Sequence, residues 1–319
     1  MISKDKLSEL YNNTLKQKLS GLEKNRKRVK TMQITTFILL FVSIIVLVVF
    51  AYPIEHSAHS KIIFGGLFSL LFIGVIFIFI DIRQERKYRE HYKKEVFKEV
   101  VHSYNPNWKY NYDHAILQDE YIASKLFKRK YNLYQGGDYV EGEIGSARFM
   151  SSELKTKYRT MSYEKDGKRL YVWHTIFKGL FLNAKIAGNF KGENFIIPSN
   201  DEHFSKKSIN KAQNDLNEIE FENMGNKNNL KILSTDEESA REIFTPRILE
   251  IIMMFYNKHN KPLYFSFIGS DIYCALGLKK NLFEPRIFKS LLKYNDVELV
   301  YHFFELQEEI IGELQHTLR

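Results

Sequence analysis

Two runs of nineteen residues, Ile34–Tyr52 and Ile62–Ile80, contain no charged side chain. As helices each would reach roughly 28 Å, close to the thickness of a bilayer's hydrocarbon core. Only Pro53–Lys61 lies between them. The pattern predicts a two-helix transmembrane hairpin over residues 34–80, with spans at 34–52 and 62–80. A secretory signal peptide is the rival reading. It fails because the leading segment is too long, the apolar run exceeds a signal's core, and no small-x-small cleavage site follows.

The net charge of +9 suggests a nucleic-acid binder until its distribution is read. Met1–Gln33 holds nine Lys/Arg against three Asp/Glu, and Asp81–Lys94 holds six against three. Glu95–Arg319 is neutral, with 31 of each sign. Phosphate binding needs a concentrated basic surplus, so nucleic acid is disfavoured as a partner. Arg26, Lys27, Arg28 and Lys30 precede the first span, and Arg83, Arg86, Lys87 and Arg89 follow the second. These eight are the candidate lipid-facing cations. By the positive-inside rule both termini are cytoplasmic and the turn faces outward. The single cysteine, Cys274, rules out an intrachain disulfide.

Leu7, Tyr11, Leu15, Leu19 and Leu22 recur at helical spacing, so residues 1–33 read as a basic amphipathic cytoplasmic helix. Residues 81–104 read as a stalk helix stopped by Asn105-Pro106-Asn107. In the second span Gly65 and Ser69 form a small-xxx-small pair, compatible with homo-oligomer formation or with packing inside the hairpin. From Tyr121 the period becomes two, which predicts an antiparallel meander with Asp166-Gly167 and Gly188-Asn189 at turns. A polar connector near 199–229 marks a subdomain break. A second unit follows: a strand at Leu230–Leu233, a capping box from Ser234 or Thr235, and a helix opened by Thr245-Pro246. A hairpin over Pro262–Leu278 turning at Gly269-Ser270, and a last helix from about Val297 capped by Asp296, complete it. The fold class is α+β, with one soluble domain over 105–319.

Phosphate loops, dinucleotide fingerprints, H-E-x-x-H, G-x-S-x-G and C-x-x-C are absent, and no cofactor is indicated. Glu141 and Glu143 share a strand face and His174 sits between Val172 and Ile176, which makes these three the acid–base candidates. Structural roles, a solvated strand face and a hydrogen-bonded core histidine, are the plainer accounts. His56 and His59 beside Glu55 offer a weak cation site with little outer-shell support, and no metal is assigned. Trp173, Phe177 and Phe181 fall at four-residue steps and form the candidate binding surface, provided the chain bends at Lys178-Gly179. Ordinary core packing is the alternative.

The chain resembles an uncharacterised bacterial family, domain of unknown function 3137. The likeness rests on Gly137-Asp138-Tyr139-Val140-Glu141-Gly142, Trp173-His174-Thr175-Ile176-Phe177-Lys178-Gly179-Leu180-Phe181, and Asn189-Phe190-Lys191-Gly192 with Ile197-Pro198. It extends to Ser234-Thr235-Asp236, Ala240-Arg241, Thr245-Pro246 and Leu282-Phe283-Glu284-Pro285. The resemblance implies a bacterial membrane protein whose soluble domain lacks an assigned activity, with a LemA-type membrane protein as a partner. The expectation is a membrane-anchored binding or scaffold protein of the bacterial inner membrane. An enzyme acting on a membrane or envelope substrate is the alternative.

Overall fold

The computed structural model describes residues 12, 16–55, 60–163, 168–201, 216–221, 229–285, 287–288 and 295–317. The chain divides into two compact units, one built on Glu9–Val96 with Glu284–Lys293, the other on Phe97–Phe283 with Tyr294–Arg319. His56, His59, most of the amphipathic N-terminal segment and the Asp166-Gly167 turn lie outside the described residues.

In the first unit, helices α1 (Lys16–Glu55) and α2 (Ser60–Tyr92) run side by side in opposite directions. Gln33 Nε2 donates to Glu85 Oε2 at 2.7 Å. A Cβ at Gly74 would strike Leu40, so glycine there sets the close approach, whereas Gly65 has nothing within 4 Å. Among the described residues one helical segment, Leu19–Val49, is long and apolar enough to cross a membrane, with mean hydropathy 2.7. Only 11% of its apolar window is buried, which a core helix of a water-soluble protein would not tolerate. Phe37 is 70% exposed on α1 and Phe68 72% on α2.

The basic flank is not uniformly turned outward. Arg26 is buried, gripping Glu23 through two hydrogen bonds and donating to the Ile287 carbonyl. Arg89 is shared between Glu85 and Glu284, with 2.5 Å to the latter. Both cations are held in ion pairs, Arg26 buried and Arg89 half-buried. Lys27, Arg28, Arg83, Arg86 and Lys87 are exposed, and Lys30 is half-buried.

The second unit is mixed α+β. A π-helical turn at Lys93–Phe97 leads into α3 (Lys98–Tyr104), which ends where Asn105 turns extended. Among the described residues seven strands then form one antiparallel sheet: β1 (Lys109–Asn111), β2 (Leu133–Ile144), β3 (Ala147–Tyr163), β4 (Arg169–Pro198), β5 (Asn217–Ile219), β6 (Leu230–Ser234) and β7 (Leu263–Gly277). β4 is the axis. It pairs with β3 along its first half, with β7 from Gly179 to Ile196, and with β6 at its end.

Two sequence-based turns are absent. Gly188-Asn189 lies within continuous β4, and Gly269-Ser270 within continuous β7. The paired strands bend together instead: register shifts fall between Lys185 and Glu193, opposite Gly269 with its φ of 60°. Glycine here supplies a bulge and not a reversal. Gly179 has a different duty, because a Cβ there would run into the Leu276 carbonyl of β7.

One face of the sheet is covered by the segment holding α4 (Gln118–Ala123), where Tyr121 and Phe127 pack on Phe177, Phe181 and Tyr273. Helices α5 (Glu237–Ile243), α6 (Pro246–His259) and α7 (Asn295–Thr317) complete the unit. Asp236, and neither Ser234 nor Thr235, caps α5 by accepting from Ser239 N. Thr245 caps α6, whose buried stripe is Ile248, Ile251, Ile252 and Phe255. α7 begins at Asn295, so Asp296 falls inside the helix.

Glu153 on β3 is 8% exposed, and its carboxylate accepts from Leu282 N and Phe283 N at 3.2 to 3.4 Å. Charge-assisted bonds of this kind outlast neutral ones. Glu153→Gln is therefore expected to cost about 2 kcal/mol, read as a lowered denaturant midpoint. Unchanged stability would show that the carboxylate's charge is not used.

Candidate functional site

β2 pairs with β3 only as far as the Leu133–Lys157 pair, and β7 leaves β4 at Gly179. Beyond those points the ends of β3 and β4, residues 158–163 and 169–174, have only each other as strand partners among the described residues, with Arg159 N also donating to Asn132 Oδ1 at 2.9 Å. They form a two-stranded arm past the edge of the sheet. Its apolar side chains are open: Met161 49%, Tyr163 63%, Leu170 45%, Tyr171 45%, Val172 41% and Trp173 45% exposed.

The register assigns the arm two faces. Pairs Arg159–Trp173, Met161–Tyr171 and Tyr163–Arg169 share one, and Tyr158–His174, Thr160–Val172 and Ser162–Leu170 the other. The second face is partly closed on itself. His174 Nε2 meets Thr160 Oγ1 at 2.9 Å, its ring stacks on Tyr158 at 4.8 Å, and the Arg129 guanidinium lies 4.1 Å from the Tyr158 centroid. On the first face the Arg159 guanidinium sits 5.0 Å over the Tyr171 ring. Residues 157–175 carry five Lys/Arg against two Asp/Glu, and both acids lie in the segment 164–167. A local basic surplus is thus hidden within a neutral domain.

The bulge between Thr156 and Lys157 divides the proposed aromatic surface. In an unbroken strand Trp173, Phe177 and Phe181 would share a face. The extra residue, Ile176, puts Trp173 on the opposite side, exposed, while Phe177 (3%) and Phe181 (0%) enter the core. Of the three, only Trp173 is available for binding. His174 is half-buried on the arm and not enclosed in the core.

The acid–base candidates do not converge. Glu141 pairs with Met150 and His174 with Tyr158, eight residues apart along β3, roughly 26 Å. Glu141 instead meets Lys109 Nζ at 3.4 Å and accepts from Tyr139 Oη, and Glu143 faces Arg148 at 3.6 Å. Both are solvated ion-pair partners. Cys274 is fully buried and its thiol pKa is pushed well up by desolvation, so it is inert.

The spacing of residues gave no sign of a second feature, a cleft of about 270 Å³ between α6 and α7. His259 and His302 meet there with rings 5.1 Å apart. Lys258 Nζ donates to His302 Nε2 at 3.0 Å, which places the imidazole proton on Nδ1, a buried atom with no acceptor among the described residues. Burial, then the neighbouring His302 and Lys258 charges, pushes His259 down to about 4; burial and Lys258 do the same to His302. Among the described residues the lining contains no hydroxyl or thiol nucleophile. Among the described residues no group of three or more His, Cys, Asp or Glu side chains is set to hold a metal.

These features define a mixed α+β protein with a membrane-crossing type of helix and an exposed aromatic arm. Residues 175–316 match the family model described as "Protein of unknown function (DUF3137)". The match starts at Thr175, so the Gly137–Gly142 and Trp173-His174 motifs lie outside it. No curated protein matches the chain. Among solved structures, the mycobacterial trehalose monomycolate transport factor A, TtfA, aligns with 69% of this chain and 93% of its own at 10% identity. The TM-score is 0.32, at which a shared fold is not demonstrated.

Proposed function

We propose that this protein is a membrane-anchored binding protein: a two-helix transmembrane hairpin holds an α+β domain at the inner membrane of a bacterium, with both termini cytoplasmic, and the β3–β4 arm is its contact surface. The observation that carries this reading is the pairing of two unsatisfied apolar surfaces in one chain. Exposed Phe, Ile and Val side chains cover α1 and α2, and Met161, Tyr163, Tyr171 and Trp173 stand out on the arm. Water-exposed apolar area of this extent marks a surface that is covered in use. An enzyme built on His174, Glu141 and Glu143 is disfavoured by their separation.

Topology is tested by Ser57→Cys and a membrane-impermeant thiol reagent on intact cells stripped of their outer barrier. Cys274 is buried, which keeps background labelling low. Labelling without opening the inner membrane is expected; labelling only after it is opened would overturn the orientation.

A further inference from the structure

We infer that the Arg159–Trp173 face of the arm docks onto an anionic lipid headgroup surface. The inference rests on the reading of the arm as a contact surface and names its partner. Three cross-strand pairs build the face: Arg159 with Trp173, Met161 with Tyr171, and Tyr163 with Arg169. It presents three aromatics, one methionine and two guanidinium groups, and the described part of the arm contains no carboxylate. Trp and Tyr rings are apolar bodies with a polar edge, the chemistry that settles at headgroup depth. On the same face the Arg159 guanidinium lies over the Tyr171 ring, and arginine is a side chain that buries its apolar stem while leaving its charge among phosphates. Two unlike demands, apolar cover for the rings and negative charge for the guanidiniums, are met together by one material, the anionic lipid–water boundary.

The competing occupants fit less well. A second copy would bring together two faces whose described residues carry arginines and no carboxylate, and like charges repel. A single-stranded nucleic acid needs open ring faces on which bases stack, and Arg159 already occupies one side of Tyr171. The opposite face of the arm is a poor rival, because Tyr158, His174, Thr160 and Arg129 satisfy one another. The chain also carries an exposed apolar helix of membrane-crossing length, so a tethered bilayer raises the effective concentration of lipid seen by any such face.

The two tryptophans make the test direct. Trp108 is 1% exposed and Trp173 45%. Full-length protein is placed in nanodiscs of phosphatidylcholine, alone or mixed with phosphatidylglycerol, with and without brominated acyl chains. The Trp173→Phe variant isolates the Trp108 signal for subtraction, and the Trp108 emission verifies the fold of every variant. Trp173 is expected to be quenched by brominated lipid in the anionic discs and spared in the zwitterionic ones. High salt, or the pair Arg159→Gln and Arg169→Gln, should remove the quenching, the two substitutions weakening docking about 30-fold. Equal quenching in both discs overturns the assignment to anionic lipid. An unquenched Trp173 whose emission shifts blue at raised protein concentration, or on adding single-stranded RNA, also overturns it while leaving the arm a contact surface for that other partner. A Trp173 signal that nothing moves overturns both readings.

Discussion

Trp108→Ala is expected to destabilise the α+β unit by about 4 kcal/mol, lowering its thermal midpoint by roughly 10 °C. The indole is 1% exposed at the point where α3, β2, β3 and α7 meet. Its ring lies 4.6 Å from Phe149, 5.0 Å from Tyr104 and 5.1 Å from Phe304, two of them edge-to-face, an arrangement worth more than area alone. Nε1–H donates to the Glu143 carbonyl at 3.2 Å, so the polar edge is satisfied as well. Gly142 lies directly under the ring, where a Cβ would clash with it. Substitution by alanine empties a site walled by sheet and helix, which cannot collapse. Trp108→Phe keeps most of the packing, loses the hydrogen bond, and should cost about 1–2 kcal/mol. Near-UV circular dichroism of the purified protein during urea unfolding reads both. Equal midpoints for wild type and Trp108→Ala would remove this cluster from the core.

Legibility of the sequence followed the range over which each signal acts. Local signals were readable: the uncharged runs, the Thr245-Pro246 start of α6, and the alternation that marks β2 and the first part of β4. Glycine was ambiguous by its chemistry. Gly188 and Gly269 look like hairpin turns because turns and bulges need the same backbone freedom, and only the pairing of β4 with β7 shows that both strands continue. The four-residue step from Trp173 to Phe181 failed for a related reason, since one bulged residue reverses every side chain on one side of it. The arm's basic surplus was countable, yet a neutral total concealed it. Arg26 and Arg89 were legible as cations but not as the partners of Glu23, Glu85 and Glu284. The cleft left no trace at all, because His259 and His302 belong to different helices, and their meeting is a fact of tertiary packing.

That meeting makes stability depend on pH in a defined window. An unfolded imidazole has a pKa near 6.5, while in the cleft both are held down to about 4. For His259 the causes are desolvation, then His302, Lys258 and Lys261, with Glu298 opposing; for His302 they begin with desolvation and Lys258. Between those pH values the unfolded chain binds protons that the folded chain refuses. Stability is therefore complete above about pH 6.5, falls as the pH is lowered, and has lost this contribution near pH 4. A depression of this size corresponds to about 3 kcal/mol for one imidazole, and because the two are coupled the pair is put at about 3–5 kcal/mol. Carboxylates that pair in the folded state titrate in part of the same range, so the comparison must be differential. The double variant His259→Gln with His302→Gln should unfold in urea with a midpoint that varies less with pH than wild type between pH 7 and 4.5. Their relative stability should shift progressively in the variant's favour toward the acid end, because only wild type must keep protons off buried imidazoles. A single replacement, His302→Gln, is expected to remove at least half of the effect, because it deletes one depressed imidazole and relieves His259 of a cationic neighbour, while His259 keeps its burial. Parallel pH profiles for wild type and the double variant would show that the pair is solvated and ordinary, and the cleft would cease to be an acid-sensitive joint between α6 and α7.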